Sequence, residues 1–400
     1  MQFIAGVNVE FEGAEKGKRV FLGDGNVCFI FGNPVERGNA LFYIEGEVFE
    51  ELTDRIFSEY VDGEYSCISV ENNRLRVARD PLGTKTLFYA HSQEGIIFAT
   101  DTLHIEKNST QARAFPPGCV GCYDCASGTF SMRKVRAVHI GEKYSGEDVA
   151  KKELKKSIEE AVRKRVQDKR RVAVMFSGGV DSTLIASLAS RWANVLLITV
   201  GAENSPDVLW AEKVAGEMGL ALEVKILPDD EVFRIYERMK AQFPNASLME
   251  LELGMPVEVC AKIAKMRGID VAVCGAGADE LFGGYERYRR AYVAGYDVES
   301  MLYKDVRGIH EKDIDRTNII ALRNGVGIRY PFLDLNVVET AFRIPIDYKI
   351  SNEAKKIVLR KVAEEFGVPR EVCMRDKKAI QYGTGIHKVV CRHIKNKGDS

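Results

Sequence analysis

The chain has no long hydrophobic run. Its longest apolar stretch of strand character lies around Val195–Val200, far short of the roughly 20 residues that a membrane-crossing helix needs. No charged segment followed by an apolar one opens the chain, so a secretory leader is not expected and the cytosol is the default location. Neither sign of charge is in excess: 57 Lys and Arg stand against 58 Asp and Glu, a net charge of -1. That balance removes any bulk drive toward nucleic acid or an anionic membrane, and neither is expected as a partner. Internal repeats are also lacking, which sets aside solenoids and propellers.

Ligands for a cysteine-held metal are sparse. The nine cysteines are an odd number and the six histidines are scattered, so reduced thiols are expected. Cys119, Cys122 and Cys125 are spaced Cys-x2-Cys-x2-Cys, the spacing of a metal clip, but no fourth ligand stands nearby. They follow Pro116-Pro117-Gly118 and read as a turn entering a β-hairpin, with metal binding or a redox disulfide as the alternative.

What is present is an ordinary globular composition, 46% hydrophobic and 29% charged over 400 residues, enough for two or three domains. Residues 1 to about 135 read as β-rich, with short strands at Phe3–Val9, Val27–Gly32, Tyr65–Val70, Arg74–Ala78, Leu87–Ala90 and Gly95–Ala99. Asn72-Asn73 suits a hairpin turn, and one helix is expected over Val48–Glu59. From Gly146 the period becomes helical, with Leu154, Ile158, Ala161, Val162 and Val166 on one face and basic residues, Arg163-Lys-Arg165 among them, on a solvated one. Strands then alternate with helices: Val172–Phe176, a helix to about Arg191, Val195–Val200, a helix over Pro206–Met218, Leu222–Ile226 and Val271–Val273. This pattern predicts a parallel α/β sheet over 146–400, mostly helical after Gly284, with ligands beyond the C-terminal strand ends. The tail 395–400 is expected to fray.

The chemistry concentrates in Val172-Ala-Val-Met-Phe-Ser-Gly-Gly-Val-Asp-Ser182, a strand running through a glycine turn into a helix. Gly178 and Gly179 let backbone approach a polyphosphate, the hydroxyls of Ser177 and Ser182 donate to its oxygens, and the helix N-terminus adds N–H groups and a positive dipole end. The lysine of a phosphoryl-transferring loop is missing. Asp181 suits Mg2+ on the phosphates, at a loop expected to face solvent. Cleavage of ATP to AMP and pyrophosphate, with activation of a carboxylate, is the chemistry implied; a plain turn of small residues is the alternative. Cys274-Gly-Ala-Gly-Ala-Asp-Glu-Leu-Phe-Gly-Gly-Tyr285 follows a second strand and offers Asp279 as a second Mg2+ ligand, or as a helix cap.

With Ser205-Pro-Asp207, Arg329-Tyr-Pro-Phe-Leu-Asp334 and Lys356-Ile-Val-Leu-Arg360, these segments resemble, in order, the synthetase domain of asparagine synthetases, over residues 145–385. The resemblance implies a PP-loop ATP pyrophosphatase domain using ATP and Mg2+. Its ATP- and pyrophosphate-binding set is Met175, Ser177, Gly178, Gly179, Asp181, Ser182, Val200, Cys274, Gly275, Arg375 and Lys377. Asp181 and Asp279 are its metal ligands, and Lys356 its catalytic cation, with a surface helix lysine as the alternative reading. Arg375, Lys377 and Lys378, before Gln381-Tyr-Gly, are candidates for closing over pyrophosphate. Arg79-Asp-Pro-Leu-Gly-Thr-Lys-Thr-Leu-Phe-Tyr-Ala90 resembles the family's glutaminase domain, which implies an N-terminal-nucleophile (Ntn) hydrolase-like α+β fold for residues 1–140.

Four positions depart from the family. Gln2 stands where the family has its nucleophilic Cys, and Glu45-Gly46 where it has the oxyanion-stabilising Asn-Gly, implying a lost glutaminase. Ala276 stands where the family has Glu and the related β-lactam synthetases have Tyr, and Gly327 replaces another Glu. The expected function is therefore an AMP-forming amide ligase without its own glutaminase, joining a small-molecule carboxylate to ammonia or an amine. A separate ammonia-supplying glutaminase and a homodimer are compatible partners. The alternatives are a β-lactam-synthetase-like intramolecular ligase and a nucleotide-binding pseudoenzyme or assembly subunit.

Overall fold

The computed structural model describes residues 4–7, 18–21, 27–31, 35–37, 40–49, 54–92, 95–106, 111–203, 205–375 and 383–398. The chain forms two compact units, Met1–His139 with Arg307–Leu322, and Ile140–Val306 with Arg323–Ser400. The sixteen residues 307–322, expected with the second half of the chain, thus belong to the first unit.

The first unit carries two six-stranded sheets whose described strands pair antiparallel. One contains β1 (Ile4–Val7), β2 (Lys18–Phe21), β3 (Val27–Phe31), β8 (Phe88–His91), β9 (Ile96–Ala99) and β10 (Arg113–Ala114), ordered β10-β8-β9-β1-β3-β2. The other contains β4 (Val35–Arg37), β5 (Ala40–Val48), β6 (Gly63–Glu71), β7 (Arg74–Arg79), β11 (Cys119–Asp124) and β12 (Thr129–Lys134), ordered β12-β11-β7-β6-β5-β4. Asn72 and Asn73 both take positive φ, 48° and 60°, which matches the right-handed twist of the hairpin β6–β7. The helix expected over Val48–Glu59 is not formed. Val48 pairs with Gly63 as the last residue of β5, and among the described residues of the expected span a 3-10 turn at Asp54–Phe57 is the only helical piece; residues 50–53 lie outside them. The β-branched, aromatic run Ala40–Val48 is more valuable as a strand against β6 than as a first helical turn.

The three-cysteine run lies in β11 and its end, pairing with β7 and β12. Cys119 and Cys125 sit in the core beside Phe115 and Tyr123. They are six residues apart along β11 and its end, a span of about 20 Å, so the run is a hairpin strand and not a clip.

Residues 307–322 are seated in the first unit by buried polar groups. Arg79 donates to the Lys85, Phe115 and Gly83 carbonyls and to Asp315 Oδ1 at 2.6 Å, and Asn318 Nδ2 donates to the Thr84 carbonyl at 2.7 Å. Asp80 takes the Leu82 and Thr84 amides and the Thr84 hydroxyl. The Arg79-Asp80 motif therefore organises a loop and seats a helix.

The second unit is built on a five-stranded parallel sheet, ordered β15-β14-β13-β16-β17: β13 (Arg171–Met175), β14 (Asn194–Ala202), β15 (Ala221–Leu227), β16 (Val271–Val273) and β17 (Gly327–Arg329). Apolar central strands β13, β14 and β16, mostly buried, and helical crossovers produce this sheet, as expected for an α/β fold, with the more exposed β15 at one edge. Edge strand β17 was not foreseen: three residues beginning with Gly and ending with Arg carry no strand period. Arg329 explains its position. Its guanidinium holds both oxygens of Asp168 at 2.7 and 3.0 Å and donates to the Arg165 carbonyl. Arg165 is 1% exposed, contrary to the solvated face expected for it, and pairs with buried Asp334 at 2.8 Å. Its position on the 20-residue helix Glu147–Val166 turns it toward Asp334 instead of water. The C-terminal helix runs Ile386–Gly398, further than the fraying tail allowed. Among the described residues no helix is long and apolar enough to cross a membrane.

Candidate active site

The order of the second sheet reverses between β13 and β16, because the chain builds β14 and β15 outward on one side of β13 and β16 and β17 on the other. Such a switch point leaves a crevice beyond the C-terminal strand ends, since the two flanking loops diverge to opposite faces. The loop after β13 carries Ser177–Asp181 and the loop after β16 carries Cys274–Asp279, so topology alone brings the two motifs together.

After β13 the chain turns at Gly178, φ +66°, where a Cβ would lie 2.7 Å from Trp210 Cδ1. Only glycine fits that backbone and that space. Trp210 Nε1 donates to the Gly178 carbonyl at 2.8 Å. The Ser177 amide donates to Ser182 Oγ, whose hydroxyl donates to the Gly179 carbonyl at 3.2 Å, and the Ser177 and Ser182 hydroxyls are 3.3 Å apart. The ten-residue helix Val180–Ala189 starts directly after Gly179, and its N-cap has no side-chain hydrogen bond. Its first N–H groups are thus available to an anion.

Asp181 lies in the first turn of that helix and is 3% exposed; the expectation of a solvent-facing carboxylate is corrected. Burial is tolerated because Lys356 Nζ donates to both its oxygens at 2.8 Å and also contacts Asp279 Oδ1 at 2.6 Å. Lys356 is not a surface helix residue. It is 4% exposed and takes a left-handed conformation, φ 56°, at the N-cap of the helix Ile357–Glu365. Burial opposes its charge, but the two carboxylates outweigh burial and raise its pKa above the ordinary lysine value. Asp279 is in the first turn of the short helix Ala278–Phe282, whose N-cap is Gly277, so it is an ion-pair partner and not the cap. Gly284 closes the cluster. A Cβ there would fall 1.8 Å from Asp279 Oδ1 and 2.2 Å from Lys356 Cε.

Four cations face this loop. Lys355, Lys356, Arg360 and Arg375 line the same pocket as Ser177 and Gly179. Arg375 lies over Trp210, 4.5 Å from the ring centroid, and pairs with Asp207 at 3.2 Å. Met175 ends β13 and Val200 lies in β14, while Gly275 is next to Asp181, a Cβ there falling 3.2 Å from Asp181 Cβ. Lys377, Lys378 and Gln381 lie outside the described residues. Sequence reasoning left Asp207, Trp210, Lys355 and Arg360 unassigned. Asp207 and Arg360 stood within motifs already singled out, and Arg360 is one helical turn from Lys356; Trp210 gave no signal beyond following Ser205-Pro-Asp207. The donor set suits a hard cation, as two carboxylates converge on one point now held by an ammonium.

In the first unit, Glu45 is 2% exposed and accepts from Thr86 Oγ1 at 3.3 Å. Burial pushes its carboxyl up to about 7. Gln2 lies outside the described residues.

The sequence profile of the asparagine synthase family matches residues 153–299 and 293–397. A relative from Methanocaldococcus jannaschii, provisionally named asparagine synthetase 1 of the glutamine-hydrolyzing type, is 30% identical over 89% of this chain and 75% of its own. The glutamine-hydrolyzing asparagine synthetase 1 of Saccharomyces cerevisiae is 25% identical over 82% of this chain and 65% of its own, and that of Lotus japonicus 24% over 86% and 60%. The chain thus spans about two thirds or less of the length of these two eukaryotic relatives. Among solved structures, NMN synthetase from Francisella tularensis aligns with a TM-score of only 0.28 at 11% identity, covering 58% of this chain and 75% of that one.

Proposed function

Because the chain belongs to the asparagine synthase family, we propose that it is an ATP-dependent, AMP-forming ligase that activates a carboxylate and joins it to ammonia or an amine. The observation that carries this reading is the Asp181–Lys356–Asp279 cluster beside the Ser177–Ser182 loop at the switch point of the parallel sheet.

In the first step a carboxylate oxygen attacks the α-phosphorus of ATP, the bond to the bridging oxygen breaks, and pyrophosphate leaves with that electron pair. In the second, a nitrogen lone pair attacks the acyl carbon, AMP leaves with the C–O pair, and the nitrogen loses a proton. The chain's contribution is positioning and charge neutralisation. The loop amides and the Ser177 and Ser182 hydroxyls grip phosphate oxygens. Lys356, Arg360 and Arg375 offset the charge of departing pyrophosphate. Asp181 and Asp279 would hold Mg2+, which when bound screens the phosphates.

Loss of a glutaminase is part of the proposal, supported by Gln2 and by the carboxyl of Glu45 at the expected oxyanion position. With Ala276 and Gly327 offering no acid–base group, the nitrogen donor is read as free ammonia or an amine that arrives unprotonated. The test is pyrophosphate release from ATP and Mg2+ over a panel of carboxylates, with ammonium or glutamine as nitrogen source. Release with ammonium, abolished in Asp181→Asn and Asp279→Asn, is expected. Absence of release with every carboxylate would favour a nucleotide-binding scaffold, and glutamate formed from glutamine would restore the glutaminase.

A further inference from the structure

Away from this pocket, the helix Leu248–Met266 and the C-terminal helix Ile386–Gly398 bring three ligand-type side chains together. His387 and Cys391 are four residues apart on one helix and so share a face. That face meets Glu252, which is 2% exposed. His387 Nδ1 lies 2.9 and 3.0 Å from the two Glu252 oxygens, and Cys391 Sγ lies 3.8 Å from Nδ1 and 3.6 Å from Nε2. One ligand atom from each residue falls within 4.8 Å of the other two.

We infer that Glu252, His387 and Cys391 form a binding site for one transition-metal ion of the zinc type. A tetrahedral zinc with ordinary Zn–O, Zn–N and Zn–S bonds puts nitrogen about 3.3 Å from oxygen and about 3.6 Å from sulfur. The observed separations differ from these by a few tenths of an ångström, a shift that side-chain torsions absorb. The metal would take the place of the direct contact now made between Nδ1 and the buried carboxylate. Thiolate, imidazole and carboxylate together select zinc over magnesium or calcium, which prefer oxygen alone. Three protein ligands leave a fourth position open.

A thiol–imidazole–carboxylate catalytic triad is the competing use of the same residues. A nucleophilic thiol must lie along the lone pair of one ring nitrogen, with the carboxylate on the other. Here the sulfur is almost equally far from both nitrogens, so it is aligned with neither. Charge also favours a cation: two acids and one imidazole bind a divalent ion with little charge left over once the thiol has given up its proton.

The metal would fasten the C-terminal helix to the body of the second unit, where Arg392 already pairs with Asp229 at 2.9 Å and His393 lies on Phe233 at 3.8 Å between centroids. The test uses the full chain, stripped with a chelator and titrated with Co2+ and then Zn2+. One equivalent of Co2+ should give tetrahedral visible bands and a thiolate-to-cobalt charge-transfer band, all lost on displacement by Zn2+. Cys391→Ser should remove the charge-transfer band, His387→Gln should weaken Zn2+ binding by roughly 100-fold, and Cys119→Ser should change neither. A wild-type cobalt complex without a thiolate band, or a band surviving in Cys391→Ser, would overturn the site. The first of these readouts needs no variant to fold, and neither depends on ATP chemistry.

Discussion

Lys356 holds two carboxylates at once, and removing it leaves a buried Asp181 facing Asp279 with no cation between them. Lys356→Met is therefore expected to lose about 3 kcal/mol of stability in chelator, as for a buried pair broken on one side. It should also lower pyrophosphate release by roughly 100-fold or more, because the neutralising charge is gone. Mg2+ should restore more stability to the variant than it adds to wild type, since it fills the same electrostatic role. Equal Mg2+ effects on the two proteins in thermal melts would refute the metal assignment of Asp181 and Asp279. Glu45 makes a second prediction. Its carboxyl is raised from 4.5 to about 7 by burial, so between those values the folded state binds the proton that the unfolded state has released. Stability is then fully present below pH 4.5, falls as pH rises toward 7 and is flat above. Relative to wild type, Glu45→Gln should be unchanged at pH 4 and more stable at pH 8 by on the order of 3 kcal/mol. Urea denaturation at the two pH values measures this, and parallel curves for both proteins would contradict the burial of a protonated acid.

Elements whose signals are local were legible before the fold was known. The strand–glycine–helix unit at 172–189, the helix after Ser205-Pro-Asp207 and the Asn72-Asn73 turn each carry their instructions within a few residues. What failed has its partners far away. Val48 joins a strand because β6 lies beside it, Arg165 is buried because Asp334 waits 169 residues later, and Lys356 is an interior cation because two loops from distant strands converge on it. The Glu252–His387 pairing spans 135 residues, so only the i, i+4 spacing of His387 and Cys391 was there to be read. The segment entering the second unit shows a similar dependence. Arg343 Nε donates to the Glu142 carbonyl at 3.0 Å, its guanidinium lies 4.3 Å from the Tyr144 ring centroid, and Lys143 Nζ donates to the Phe342 carbonyl at 2.9 Å. Arg343→Ala should speed tryptic cleavage after Lys143 by roughly tenfold, the effect of one lost contact of about 1.4 kcal/mol on local opening. An unchanged cleavage rate would mean that the backbone hydrogen bond from Tyr144 to Arg343 suffices to hold the segment.

On the scale of the molecule, the chain leaves the second unit at Val306 and re-enters it at Arg323. A fragment of residues 140–400 keeps the parallel sheet and the pocket lined by Ser177, Asp279 and Lys356 but strands 307–322 without Arg79 and Thr84. Such a fragment should bind a hydrophobic dye and be cut by protease within 307–322, whereas the full chain resists both. A fragment as resistant as the full chain would mean that the excursion finds other cover.

This excursion bears on how such a gene can be inherited. A split of the reading frame between His139 and Ile140, the boundary of the two units, would send a helix into one product and its seat into the other. Neither product could shed its counterpart without exposing a buried arginine or a buried aspartate. The first half can thus be retained by selection on folding, even in a lineage where no reaction of its own remains to be selected.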